Sequence, residues 1–196
     1  MATLNDDALL IPGRGDVFHH ATLTTDTDIP ELDDIVAYAA SGTVPTGWVT
    51  FGHCDVDDLP AWGTDGGDSE VKRTWQKEAV REVQTESPVD YFDVKPQQFD
   101  NDTMSLYMGG GDATVPNRFA APAASAPTKK AVMIVYIDAL NGAVAEVLPN
   151  ASIRKGDAPE HATDDFSSLP LRVTKLGAPT GMRSHYWVGE NFGTSA

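Results

Sequence analysis

AVMIVYIDALNGAVAEVL, residues 131–148, reads as two strands and the turn between them. Residues 131–138 are apolar on both alternating faces, the pattern of a strand buried on both sides, not of one half exposed to water. Asn141-Gly142 is a strong signal for a two-residue hairpin, whose turn needs positive φ. The return strand then runs over residues 143–148. Outward from this hairpin, 149–168 reads as a polar connection. Leu169, Leu171 and Val173 next alternate with Pro170, Arg172 and Thr174 in a last core strand.

Upstream, the same periodicities predict a mainly antiparallel β chain with one or two short helices packed beside it. Leu32, Ile35, Val36 and Ala39 recur at helical spacing after Pro30 and stop at Ser41-Gly42, which predicts a helix over 31–40. Asp100, with Thr103 three residues on, caps a second short helix that holds Met104, Tyr107 and Met108 and ends at Gly109-Gly110-Gly111. Residues 17–22 and 48–53 read as strands. Between 70 and 99 the chain reads as a hairpin turning at Ser87-Pro88. Its first leg is one long strand with a polar even face (Lys72, Thr74, Gln76, Glu78, Glu82, Gln84) and an odd face mixing cations and apolar groups. Three parts are expected: an N-terminal arm and first strand over 1–30, a β-domain over 31–176 with long loops at 55–68 and 112–128, and a C-terminal arm over 177–196. That last arm carries Tyr186, Trp187 and Phe192.

Charge narrows the function. The chain of 196 residues has a net charge of -15, and residues 1–70 hold 14 acids against the single base Arg14. Such a chain does not grip phosphate backbones, which takes clustered Lys and Arg. No apolar run reaches the roughly 20 residues of a membrane helix. Asp6 and Asp7 stand where a secretion signal carries bases, so neither membrane nor secretion is expected. The lone Cys54 fits a reducing cytoplasm.

The sequence holds no complete active-site pattern. Asp55, Asp57, Asp58, Asp65 and Asp68 crowd one loop, but Leu59 and Gly66 occupy places where a calcium loop needs acidic ligands. His19-His20 and His53-Cys54 are adjacent pairs, which point to opposite faces of a strand and do not share a metal. Arg14-Gly15-Asp16 reads as part of a glycine-rich turn. Gly109-Gly110-Gly111 follows a helix, whereas a phosphate cradle opens one. No catalytic residue, metal or cofactor is assigned.

An ordered set of short segments carries a family likeness. It begins with Gly47-Trp48-Val49-Thr50-Phe51-Gly52-His53 and the acidic loop Asp57-Asp58-Leu59-Pro60, Trp62-Gly63 and Gly66-Gly67-Asp68. Trp75-Gln76, Arg81-Glu82-Val83, Pro88-Val89-Asp90-Tyr91 and Gln98-Phe99-Asp100 follow, then Leu106-Tyr107-Met108-Gly109-Gly110. Leu148-Pro149-Asn150-Ala151 and Leu169-Pro170-Leu171-Arg172-Val173-Thr174 complete it. In this order, over most of the chain, they resemble the major tail (tail tube) proteins of siphophages that infect actinobacteria.

The resemblance implies a fold of two packed antiparallel sheets, sandwich- or barrel-like, with a flanking helix, and a structural virion protein, not an enzyme. Hexameric rings stack around a tape measure protein, between tail tip and tail terminator, and genomic DNA passes through the channel without specific binding. Assembly in the host cytoplasm is implied as well. On that footing Asp55, Asp57, Asp58, Leu59, Trp62, Asp65, Asp68, Arg73, Lys77, Arg81, Tyr186 and Trp187 are expected at contacts between rings or subunits. The polar even face, Lys72 to Gln84, is expected to line the lumen, where acidic walls repel phosphate. Loop 55–68 is expected to be dispensable for folding but not for tubes, and both arms to order only on assembly. The rival readings are a tail terminator, a head decoration protein, a glycan-binding sandwich using Tyr186 and Trp187, or an enzyme built on Cys54 and His53.

Overall fold

The structure is a computed structural model and describes residues 9–56, 58–138 and 142–192. The chain order is β1 (Arg14–His20), α1 (Leu32–Ser41), β2 (Val49–Thr50), β3 (Trp62–Asp65), β4 (Ser69–Thr74), β5 (Lys77–Gln84), β6 (Val89–Val94), α2 (Asn101–Met108), β7 (Thr128–Asp138), β8 (Gly142–Lys155), β9 (Leu171–Lys175) and β10 (Tyr186–Gly189). It is mainly β, with two antiparallel sheets and two α-helices, as the sequence predicts. The main sheet has eight strands in the order β2-β1-β7-β8-β9-β6-β3, with β10 added beside β8. The second sheet is the β4–β5 ribbon alone.

Strand β7 explains why there are two cores. Its even residues Val132 and Ile134 face a core with Val17, Phe92, Val94, Leu148, Ile153 and Val173, closed by Leu106 and Tyr107 of α2. Its odd residues Ala131, Met133 and Val135 face a second core with Phe18, Ala145, Val147 and Ile35 and Tyr38 of α1. The doubly apolar run at 131–138 is thus buried on both faces, as expected. The main sheet rolls over the first core: Trp62, on the terminal strand β3, packs edge-on against Phe92 and donates from Nε1 to Glu146 of β8 at 2.7 Å. This rolling gives the sandwich-like form. Among the described residues β2 and β3 do not pair with each other, so the sheet does not close, and β2, β3 and the added strand β10 each keep one unpaired side.

Both helices end where the sequence places them. Gly42 and Gly109 take left-handed φ of 73° and 71° as C-caps. Asp100 caps α2 by accepting from the Thr103 N–H at 2.9 Å. No helix among the described residues is long and apolar enough to cross a membrane.

Four expectations are corrected. The return strand does not stop at residue 148: β8 runs on to Lys155 through Pro149. Pro149 is tolerated because the pairing register shifts there, from Val132↔Leu148 to Lys130↔Ala151, so its missing N–H costs no ladder bond. The β7–β8 turn has three residues, not two, since Asp138 pairs with Gly142. Residues 139–141, including Asn141, lie outside the described residues. Residues 55–68 are not all loop, because they contain β3. Residues 70–84 are not one strand, because the chain reverses at Trp75-Gln76 between β4 and β5.

His19 lies in this interior, 7% exposed, edge-on to Phe51, with neither ring nitrogen hydrogen-bonded among the described residues. Burial first, then the nearby Lys130 charge, lowers its pKa to about 4. In the unfolded chain it titrates near 6.5, so between about 6.5 and 4 the unfolded state binds the extra proton. The stabilisation from neutral His19 is whole above 6.5 and is lost as pH falls towards 4. Acidification through that window is expected to cost on the order of 2 kcal/mol more in the parent than in His19→Met. Melts of both proteins across the window check it, and parallel curves refute it.

Candidate assembly interface

The main candidate surface is the ribbon. Ser69 pairs with Gln84, Glu70 with Val83, Val71 with Glu82, and Lys72 with Arg81. A bulge precedes Thr74↔Lys77. Apart from the half-buried Val83, every ribbon residue is exposed. A two-stranded ribbon with no covered face is marginal in water, and here Trp75 stands 98% exposed at its tip, with Val71 and Val80 also bare. Three exposed apolar side chains on one solvated ribbon, Trp75 at its tip, make it a candidate contact surface. Beside it sit Arg73 and Lys77, with the cross-strand pair Lys72 and Arg81 further down. Lys72 pairs with Glu70, while among the described residues Arg73, Lys77 and Arg81 have no carboxylate partner.

Reversal at Trp75-Gln76 also splits the expected polar face. Paired residues share a face, so Lys72 and Thr74 lie on one side, and Glu82 and Gln84 on the other with Glu78. Gln76 is in the turn. These six side chains therefore do not form one wall.

The other expected contact residues scatter. Asp57 lies outside the described residues. Asp58 pairs with Lys95 at 3.0 Å and Asp65 with Arg172 at 3.6 Å, both on the surface. Asp55 has its N–H on the Lys95 carbonyl at 3.1 Å. The Asp68 carbonyl accepts from Thr85 N–H and Oγ1, which fixes the root of the ribbon. Leu59 is half exposed. Trp62 points inward to Glu146, a carboxylate only 3% exposed that also accepts from Tyr136 and lies 3.5 Å from His185 Nε2. Trp62 is therefore a fold residue, which a loop reading of its segment does not reveal.

The C-terminal segment lies in the sheet of its own chain. Tyr186↔Val147 through Gly189↔Val144 pair β10 with β8. Tyr186 donates to Asp26, and Trp187, about half exposed, stacks on His185 with centroids 5.4 Å apart.

Cys54 is half-buried. Burial first, then the charges of Asp16 and Asp55, push its thiol up to about 12. At pH 8 it is almost wholly protonated, which removes the thiolate a nucleophile needs. Iodoacetamide at pH 8 is expected to label the native chain on the order of 10³-fold more slowly than the unfolded chain. Intact-mass time courses with and without denaturant measure the ratio, and equal rates refute it.

A family model described as phage tail tube protein matches residues 2–196. The chain is 36% identical over 193 residues to the major tail protein Gp23 of Mycobacterium phage D29, covering 97% of this chain and 96% of that one. It is 36% identical over 173 residues to the major tail protein Gp23 of Mycobacterium phage L5, covering 88% and 86%. With a mainly β fold, free sheet edges and a bare projecting ribbon already in view, these matches decide the matter: the chain belongs to the phage tail tube protein family, structural components of the virion tail.

Proposed function

We propose that copies of this chain join into hexameric rings that stack into the tube of a long, non-contractile tail. The tube surrounds a tape measure protein, runs between tail tip and terminator, and conducts genomic DNA. The observation that carries this reading is the pair of free edges, β2 and β3, on a rolled sheet that does not close on itself. Exposed edges left unpaired invite aggregation, and ring closure between copies removes them. The net charge of -15 suits a conduit past which phosphate slides. The ribbon supplies a second contact, from ring to ring.

Negative-stain imaging of the purified protein, alone and with its tail-tip complex, tests the reading. Open-ended tubes are expected. Single rings would instead mark a terminator, and particles with neither form a decoration protein.

A further inference from the structure

We infer that the Trp75 tip of one copy seats in an apolar, acid-lined groove of the copy stacked next to it. This rests on the tube reading and names the two surfaces that meet between rings.

The receiving surface is a groove of about 210 Å³ along the start of β1. Its apolar walls are Pro12, Val17, Val56, Leu59, Ile134 and Tyr136, and its charged lining is Asp16 and Asp55 with Arg14, which lies 3.8 Å from Asp16. Val56 and Leu59 are 79% and 50% exposed, so the groove lies open. An indole fills such a slot with apolar area at low entropic cost.

Charge matches the two surfaces. Arg73 and Lys77 beside Trp75 have no carboxylate partner among the described residues, while Lys72 is paired with Glu70; the groove is lined by Asp16 and Asp55 against the single base Arg14. The two unpaired cations beside Trp75 thus meet a groove whose acids outnumber its one base, which favours this orientation.

Topology places the two at opposite ends of the subunit. The ribbon leaves from the Asp65/Val89 end of the β3–β6 pair. Loop 54–60 is tied to the other end, where Cys54 bridges Pro96 and Asp55 N–H bonds the Lys95 carbonyl at 3.1 Å. Strand β6 spans about 20 Å between them. A plug at one end and a socket at the other is a heterologous, head-to-tail contact. Such a contact does not close on a dimer but repeats without limit, as a stack of rings requires.

The test places a photo-crosslinking benzoylphenylalanine at Trp75 and dopes this variant as a minor fraction into wild-type protein during tube formation. Mass spectrometry of irradiated tubes is expected to find crosslinks to Val56, Leu59 or Tyr136 of a neighbouring copy. In parallel, Leu59→Glu is expected to melt like the parent, since Leu59 is half exposed, and to lose tubes. If Leu59→Glu misfolds, the crosslinks alone decide. Wild-type tubes whose crosslinks map elsewhere, including residues 1–8, or a folded Leu59→Glu that assembles normally, would overturn this contact and leave the tube reading standing. Wild-type protein that forms no tubes even with its tail-tip complex would overturn both.

Discussion

Replacing residues 70–83 by a short Gly-Ser turn leaves a monomer that melts with the parent and forms no tubes. Ser69 and Gln84 face each other in the ribbon, so a short turn rejoins the chain without stretching it. Only Val83 of the deleted residues is even half-buried, and the ribbon belongs to neither core. Loss of solvated surface residues changes stability by about 0.5 kcal/mol or less. Assembly, by contrast, loses the Trp75 anchor and its cations, and anchors of this type carry most of an interface. Trp75→Ala alone should reduce tube yield in the same direction. Circular dichroism melts and negative-stain counts give both readouts. Normal tubes from the deletion would show that the ribbon has no part in stacking, and a collapsed melt would show that it belongs to the core.

Trp62→Ala is expected to do the reverse: to destabilise the monomer by about 3 kcal/mol, whether or not other copies are present. The indole packs against Phe92, which is fully buried, and its Nε1 satisfies Glu146 inside the roll of the sheet. Truncation opens a cavity and leaves a buried carboxylate short of one donor. Trp62→Phe should recover the packing part and not the hydrogen bond. Denaturant titration of the two variants separates these contributions. A contact residue between rings would instead leave the monomer's stability untouched. For the same reason, deleting the whole of 55–68 does not isolate a contact, because it removes β3 with it.

What the residues disclosed follows their periodicity. Residues 131–138 announced burial on both faces because no polar residue interrupts either alternation before Asp138. The caps at Asp100, Gly42 and Gly109 were legible because helix ends need particular side chains or positive φ. Strand β3 was hidden because Trp62-Gly63-Thr64-Asp65 has no alternation and is held by pairing with β6, a tertiary contact with no local signal. The turn at Trp75-Gln76 was hidden because it lacks the Asn-Gly or Asp-Gly chemistry of most tight hairpins. With that turn unseen, six polar positions merged into one false face, and the exposed indole passed for an ordinary strand residue. The run of β8 through Pro149 depends on a register shift that only the partner strand defines.

A cryo-EM reconstruction of assembled tubes would decide whether neighbouring copies complete one another's sheets. The expected map shows one continuous hydrogen-bonded belt around the channel, with the β2 edge of each copy satisfied by the β3 edge of the next. A wall in which both edges still face solvent, with subunits held by side chains alone, would contradict it.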